Sequence, residues 1–155
     1  MRWIIGLSAV AVMVSLAAYA VTETDIVAQW TVADGKSRVE IYKAADGSIE
    51  GKIVWLSAPN YPDGDAEAGK PKHDRENPDK SMQNRPIVGL VLLKGFKFDG
   101  KKEWSGGTVY DPESGKTYKG KLWLDNENTL GMRGFIGISL LGRTEKWTRY
   151  TEAKK

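Results

Sequence analysis

The sequence predicts an all-β protein, an antiparallel up-and-down β-barrel of about eight strands with one long irregular loop that carries a short helical turn. Three observations lead there. From Ile26 onward, apolar and β-branched residues alternate with polar ones in short runs, and no stretch keeps a helical period for more than a couple of turns. Turn signals recur between those runs at Asp34-Gly35, Asp46-Gly47 and Asp99-Gly100, and Asp111-Pro112 with Gly115 builds another. The connections are mostly short, which suits hairpin-joined strands better than a Greek-key sandwich with its long crossovers.

The first residues stand apart from this pattern. Met1-Arg2, the apolar run Trp3 to Ala17 and the small-x-small site Ala18-Tyr19-Ala20 follow the order of a secretory signal peptide cut after Ala20. An uncleaved anchor is the alternative, because the run approaches bilayer-spanning length. Residues 1–20 are therefore expected to be a signal peptide and residues 21–155 a single domain, periplasmic or secreted. The 155-residue chain has no cysteine, so packing and sheet hydrogen bonds alone must hold it. Thiolate metal sites, cysteine nucleophiles and a lipoprotein anchor are excluded for the same reason.

Taken in order, Val27 to Val32 carries Trp30 and turns at Asp34-Gly35 into a strand where Val39 and Ile41 alternate with Arg38, Glu40 and Tyr42. Asp46-Gly47 leads into Ser48 to Leu56, with Ile49, Gly51, Ile53 and Trp55 on one face. Residues 57–84 break the rhythm with four prolines and many charges, as lids and binding loops do. Inside this segment Asn77 reads as a helix cap with Pro78 at the first position and a turn running to Asn84. Arg85 to Leu93 is apolar enough for a buried strand, and Gly95 to Phe98 extends it past a bend. Lys101 to Tyr110 follows, with Gly106-Gly107 marking a bulge or close backbone approach. After the Asp111 turn come Thr117 to Leu124, the turn Asp125 to Asn128, and the last strands Leu130 to Ile136 and Leu141 to Tyr150.

The formal charge of +3 is modest and interspersed, with no basic block of the kind that marks a nucleic-acid or anionic-membrane footprint. The single histidine, His73, excludes histidine clusters and reads as a solvated loop residue beside Asp74, Arg75 and Glu76. Asp63, Asp65 and Glu67 alternate like oxygen ligands but lack the glycine and terminal glutamate of a calcium loop. No nucleophile-base pair is visible, so neither enzymatic activity, nor a cofactor, nor a metal is expected. The aromatic residues Trp55, Trp104, Tyr110 and Tyr118 are the candidate ligand contacts, since aromatics line apolar pockets as readily as barrel walls. Arg133 either projects to solvent, if the Leu130 and Met132 face packs inward, or joins Arg143 and Glu145 in meeting a ligand's polar end.

Several stretches together resemble an exported bacterial family designated domain of unknown function 2147. They are Gly51-Lys52-Ile53-Val54-Trp55, Asn77-Pro78-Asp79, Arg85-Pro86-Ile87-Val88-Gly89, Trp104-Ser105-Gly106-Gly107, Tyr110-Asp111-Pro112 with Gly115-Lys116-Thr117-Tyr118, and Gly142-Arg143-Thr144 with Trp147 and Arg149. The resemblance implies a lipocalin-like barrel that holds a small apolar or amphipathic molecule and is compatible with a homodimer. Lipocalins place a Gly-x-Trp on the first strand with the Trp under an arginine from the last. Ala28-Gln29-Trp30 is similar to that motif with Ala for Gly, and Arg143 or Arg149 is the implied partner, a barrel-closing contact of about 0.5–2 kcal/mol.

The expected function is an exported binding protein with a ligand in its barrel. The alternative is a cell-envelope structural or interaction protein with a filled barrel. An outer-membrane barrel would need apolar bands and aromatic girdles on every strand, so no stable membrane insertion is expected.

Overall fold

In the computed structural model, residues 20–152 are described; the signal-peptide reading of residues 1–20 lies outside them except for Ala20. Eight strands follow one another: β1 Gln29–Thr31, β2 Ser37–Lys43, β3 Ile49–Leu56, β4 Val91–Phe98, β5 Glu103–Asp111, β6 Lys116–Asn126, β7 Thr129–Phe135 and β8 Arg143–Arg149. Each pairs antiparallel with its sequence neighbours, and β1 pairs with β8 to close the barrel. This is the up-and-down order that short hairpins dictate. Outward faces carry ion pairs such as Lys52 with Glu40 at 3.3 Å and Lys121 with Glu103 at 3.2 Å.

The turns form through contacts within a few residues. Asp99 Oδ1 accepts the amides of Lys101, Lys102 and Glu103 at 2.7, 2.9 and 3.1 Å. In the Asp111 turn, Gly115 takes a φ of 70° and donates its amide to the Asp111 carbonyl at 2.8 Å. Gly106, at a φ of 76°, makes the bulge between Ser105 and Gly107. A Cβ on Gly107 would lie 2.5 Å from both the Lys94 carbonyl and the Phe96 ring, so the pair clears space for that ring inside the barrel.

The interior is filled in one half only. Toward the end where β2 meets β3 and β4 meets β5, Ile41, Ile49, Phe96, Trp104, Leu122 and Leu130 are buried and pack into a floor. Residues 22–27 cross beneath it: Ile26 is fully buried, and the Trp104 indole N–H donates to the Glu23 carbonyl at 3.1 Å. The strand expected from Val27 therefore begins only at Gln29, because Ile26 and Val27 belong to this floor turn.

Two further expectations change. Arg85 to Leu90 is not strand: Pro86 has no amide to give a ladder, Gly89 takes a φ of 95°, and β4 starts at Val91. The apolar character of Ile87 and Leu90 instead buries this end of the loop against the barrel. The helical turn is also shorter than the sequence suggests, a 3-10 turn Lys80–Met82 capped by Asp79. Asn77 is withdrawn from capping because its side chain donates to Asp74 and accepts from the Asp79 amide.

Candidate functional site

The unfilled half of the barrel is a cavity of about 610 Å³. In an eight-stranded barrel such a space accepts one small ligand. Its walls are Val39, Ile53, Leu92, Val109, Met132 and Trp147, each projecting inward from its strand by the two-residue period, with Ile87 added from the long loop. Glu145 is the charged side chain set among these apolar ones, and it accepts the Trp147 indole N–H at 3.2 Å. The mouth lies between the β1–β2 turn, the β5–β6 hairpin and the long loop, which supply Asp34, Lys36, Glu113, Lys72 and Arg75.

The long loop forms one wall of the cavity, and its fold rests on Asp74. That carboxylate is fully buried and accepts from the Tyr110 hydroxyl at 2.6 Å, the Asn77 amide at 2.7 Å and the Arg85 guanidinium at 2.8 Å. Tyr110 thereby ties the loop to β5, and burial, with the Asp74 carboxylate next, pushes its phenol up to about 12. The hairpin locks the same segment from outside: a Cβ on Gly115 would lie 2.0 Å from the Glu76 carbonyl. Arg75 reaches back to Asp65 with two nitrogens at 3.0 Å and lies 4.2 Å from the centre of the Tyr61 ring.

His73 is engaged rather than solvated. Nδ1 lies 2.6 Å from the Gln83 carbonyl and Nε2 2.8 Å from a Glu67 oxygen, both acceptors. A neutral imidazole has one N–H, so only the imidazolium serves both partners. The Gln83 carbonyl first, and Glu67 with it, hold the His73 pKa above its ordinary 6.5. A raised folded-state pKa contributes stability in full below the unfolded value and loses it as pH climbs through the folded value. The ring should therefore titrate above 6.5 by NMR, and the loop should loosen at alkaline pH. In His73→Phe that alkaline loosening should vanish; if it persists, His73 is not its cause. Asp65 and Glu67, considered above as cation ligands, are occupied by Arg75 and His73.

Of the candidate ligand contacts, Tyr110 lines the cavity and Trp55, Trp104, Tyr118, Arg133 and Arg143 do not, whereas Glu145 and, from the long loop, Asp65 and His73 also border it. Trp104 is part of the floor, tilted against Phe98 with ring centres 4.8 Å apart. Tyr118 is half-buried on the inward side of β6, beside Gly134. Trp55 departs from the face of Ile49 and Ile53 because a bulge at Arg38 and Val39 shifts the register. It is 37% exposed, under the Arg38 guanidinium at 4.3 Å. Arg133 points outward to the β7–β8 connection, where it donates to the Ser139 and Leu140 carbonyls. Arg143 is 87% exposed. The arginine over Trp30 is Arg149, 4.4 Å from the ring centre, and its Nη2 donates to the Asp25 carbonyl at 2.8 Å. Sequence reasoning passed over Asp74, whose partner Tyr110 is 36 residues away. The inward period of β7 and β8 does carry a signal for Met132 and Trp147.

These residues fall within a recognised sequence family. Residues 28–149 match the family described as an uncharacterized protein conserved in bacteria, DUF2147. The chain belongs to this family. No curated protein matches the chain at a significant level. Among solved structures it is similar to protein HP1028 from the human pathogen Helicobacter pylori, described as belonging to the lipocalin family. The two share 24% identity, with 81% of this chain and 82% of that one covered and a TM-score of 0.66. At that identity the likeness concerns the fold: this DUF2147 chain is a lipocalin-like barrel.

Proposed function

We propose that this DUF2147 protein is an exported binding protein that holds one small apolar or amphipathic molecule in its barrel. The observation that carries the proposal is the half-filled interior, a cavity of about 610 Å³ with aliphatic and aromatic walls above a tightly packed floor. Such a space favours an apolar body through the hydrophobic effect. Its polar contacts, Glu145 and the charged mouth, suit a ligand whose hydroxyl or amine end donates hydrogen bonds. A bare carboxylate beside Glu145 would meet like charge instead.

Titrating a lipidic fluorophore into protein purified without detergent should give saturable binding that added lipids displace. Met132→Trp, which places a larger ring in the cavity, should weaken binding at least about tenfold, or about 1.4 kcal/mol. Absence of saturable uptake, or no displacement by any lipid extract, overturns the carrier reading. For export, the intact mass of the protein from its own cell envelope should correspond to a chain beginning at Val21.

A further inference from the structure

The β7–β8 connection presents four large aliphatic side chains within six residues: Ile136, Ile138, Leu140 and Leu141 are 68, 61, 82 and 76% exposed. The other exposed large apolar residues among those described are Val27, Trp55, Met82 and Val88, scattered and no more than 46% exposed. A concentration of this kind marks an interaction site. Alternation of the strands puts this connection at the same end of the barrel as the Asp111 hairpin and the cavity mouth.

Part of the tip's backbone is satisfied from within. Arg133 Nε donates to the Ser139 carbonyl at 2.6 Å, Nη2 to the Leu140 carbonyl at 3.1 Å, and Nη1 to the Thr144 hydroxyl at 2.6 Å. The Leu141 and Gly142 amides donate to the Ile138 and Ser139 carbonyls, both at 3.2 Å. These bonded groups can leave water at little cost, while the remaining backbone of the turn keeps its water, which suits a tip resting at the headgroup boundary rather than deep in the acyl region. Cations flank it: Arg143, 87% exposed and only loosely paired with Glu145 at 4.0 Å, and Lys119, opposite Phe135 in the β6–β7 ladder and also exposed.

We infer that this tip docks the barrel on an anionic lipid bilayer, with the cavity mouth at the membrane surface. A bilayer fits better than a protein partner. The tip is aliphatic, without the aromatic anchors that dominate protein interfaces. Four side chains on one turn also fall short of the roughly 800 Å² per partner that a stable protein complex buries. The charged outward faces of the strands confine contact to the tip and its flanking cations. The docking stands whether or not the cavity carries a ligand.

The test is flotation with vesicles of phosphatidylethanolamine and phosphatidylglycerol, using protein that begins at Val21 so that the apolar N-terminal run plays no part. Every strand lies beyond that point. The protein should float, less so in high salt. The double variant Leu140→Asp, Leu141→Asp should lower the bound fraction at least about tenfold. Its melting curve should not change, because both side chains are on the surface. Arg143→Glu should weaken binding in low salt and matter little in high salt. Failure of the unaltered protein to float, or equal flotation of the double variant, overturns the inference. So does a concentration-dependent dimer that the double variant dissociates while vesicles remain unbound, since the tip would then join two copies.

Discussion

Replacing Asp74 with Ala should free the long loop from the barrel while leaving the strands paired. The carboxylate is fully buried and collects three donors, two from within the loop and one from Tyr110 on β5. Breaking a buried charged pair by removing one partner costs about 3–5 kcal/mol. The lower end applies here, because the Arg85 side chain is 39% exposed and can rehydrate. At about 1.4 kcal/mol per factor of ten, amide exchange across residues 60–86 should rise by roughly a hundredfold. Ligand release should quicken with it, because this loop lines the cavity. Tyr110→Phe keeps two of the three donors and should cost only about 1–2 kcal/mol. Unchanged exchange in Asp74→Ala would mean that packing of Ile87 and Leu90, not the carboxylate, holds the loop.

Trp104→Ala should produce the larger loss of global stability. Its indole is fully buried between the Phe98 ring and the N-terminal turn, and truncating a buried tryptophan costs about 3–5 kcal/mol through lost transfer energy and the cavity left behind. For a domain of this size the melting temperature should fall by roughly 10 °C or more. Ligand affinity of the folded fraction should stay unchanged, because Trp104 sits in the floor and not among the cavity walls. A normal melting curve with binding abolished would reverse that assignment and make Trp104 a ligand contact. The same pair of measurements on Trp147→Ala should show both effects, since that ring is buried and also faces the cavity.

The contrast between these tryptophans shows where the sequence was legible. Five of the six tryptophans stand in strand-like runs with similar neighbours, and the two-residue period assigns a face but not a depth. Trp104 and Trp147 both point inward, yet Trp147 lines the cavity and Trp104 does not, a difference that depends on strand stagger. Trp55 shares its period with Ile53 yet lies outside, because one bulge between Arg38 and Val39 reverses every side chain beyond it.

What the sequence determined by itself was what local chemistry specifies. Asp-Gly turns satisfy their own backbone groups, alternating residues select strands, and hairpins that follow one another leave neighbouring strands no simpler order than an up-and-down barrel. What only the tertiary structure decided was which groups distant in sequence meet. The link from Asp74 to Tyr110, the His73 imidazolium between Gln83 and Glu67, and the Arg133 clamp on the β7–β8 tip join groups through space. So does the cavity in the upper half of the barrel, which forms because Phe96, Trp104 and Ile26 fill the floor while the walls toward the mouth stay apart. No period or turn signal encodes such contacts, because their free energy comes from burial and from partners that the chain supplies only once the barrel has closed.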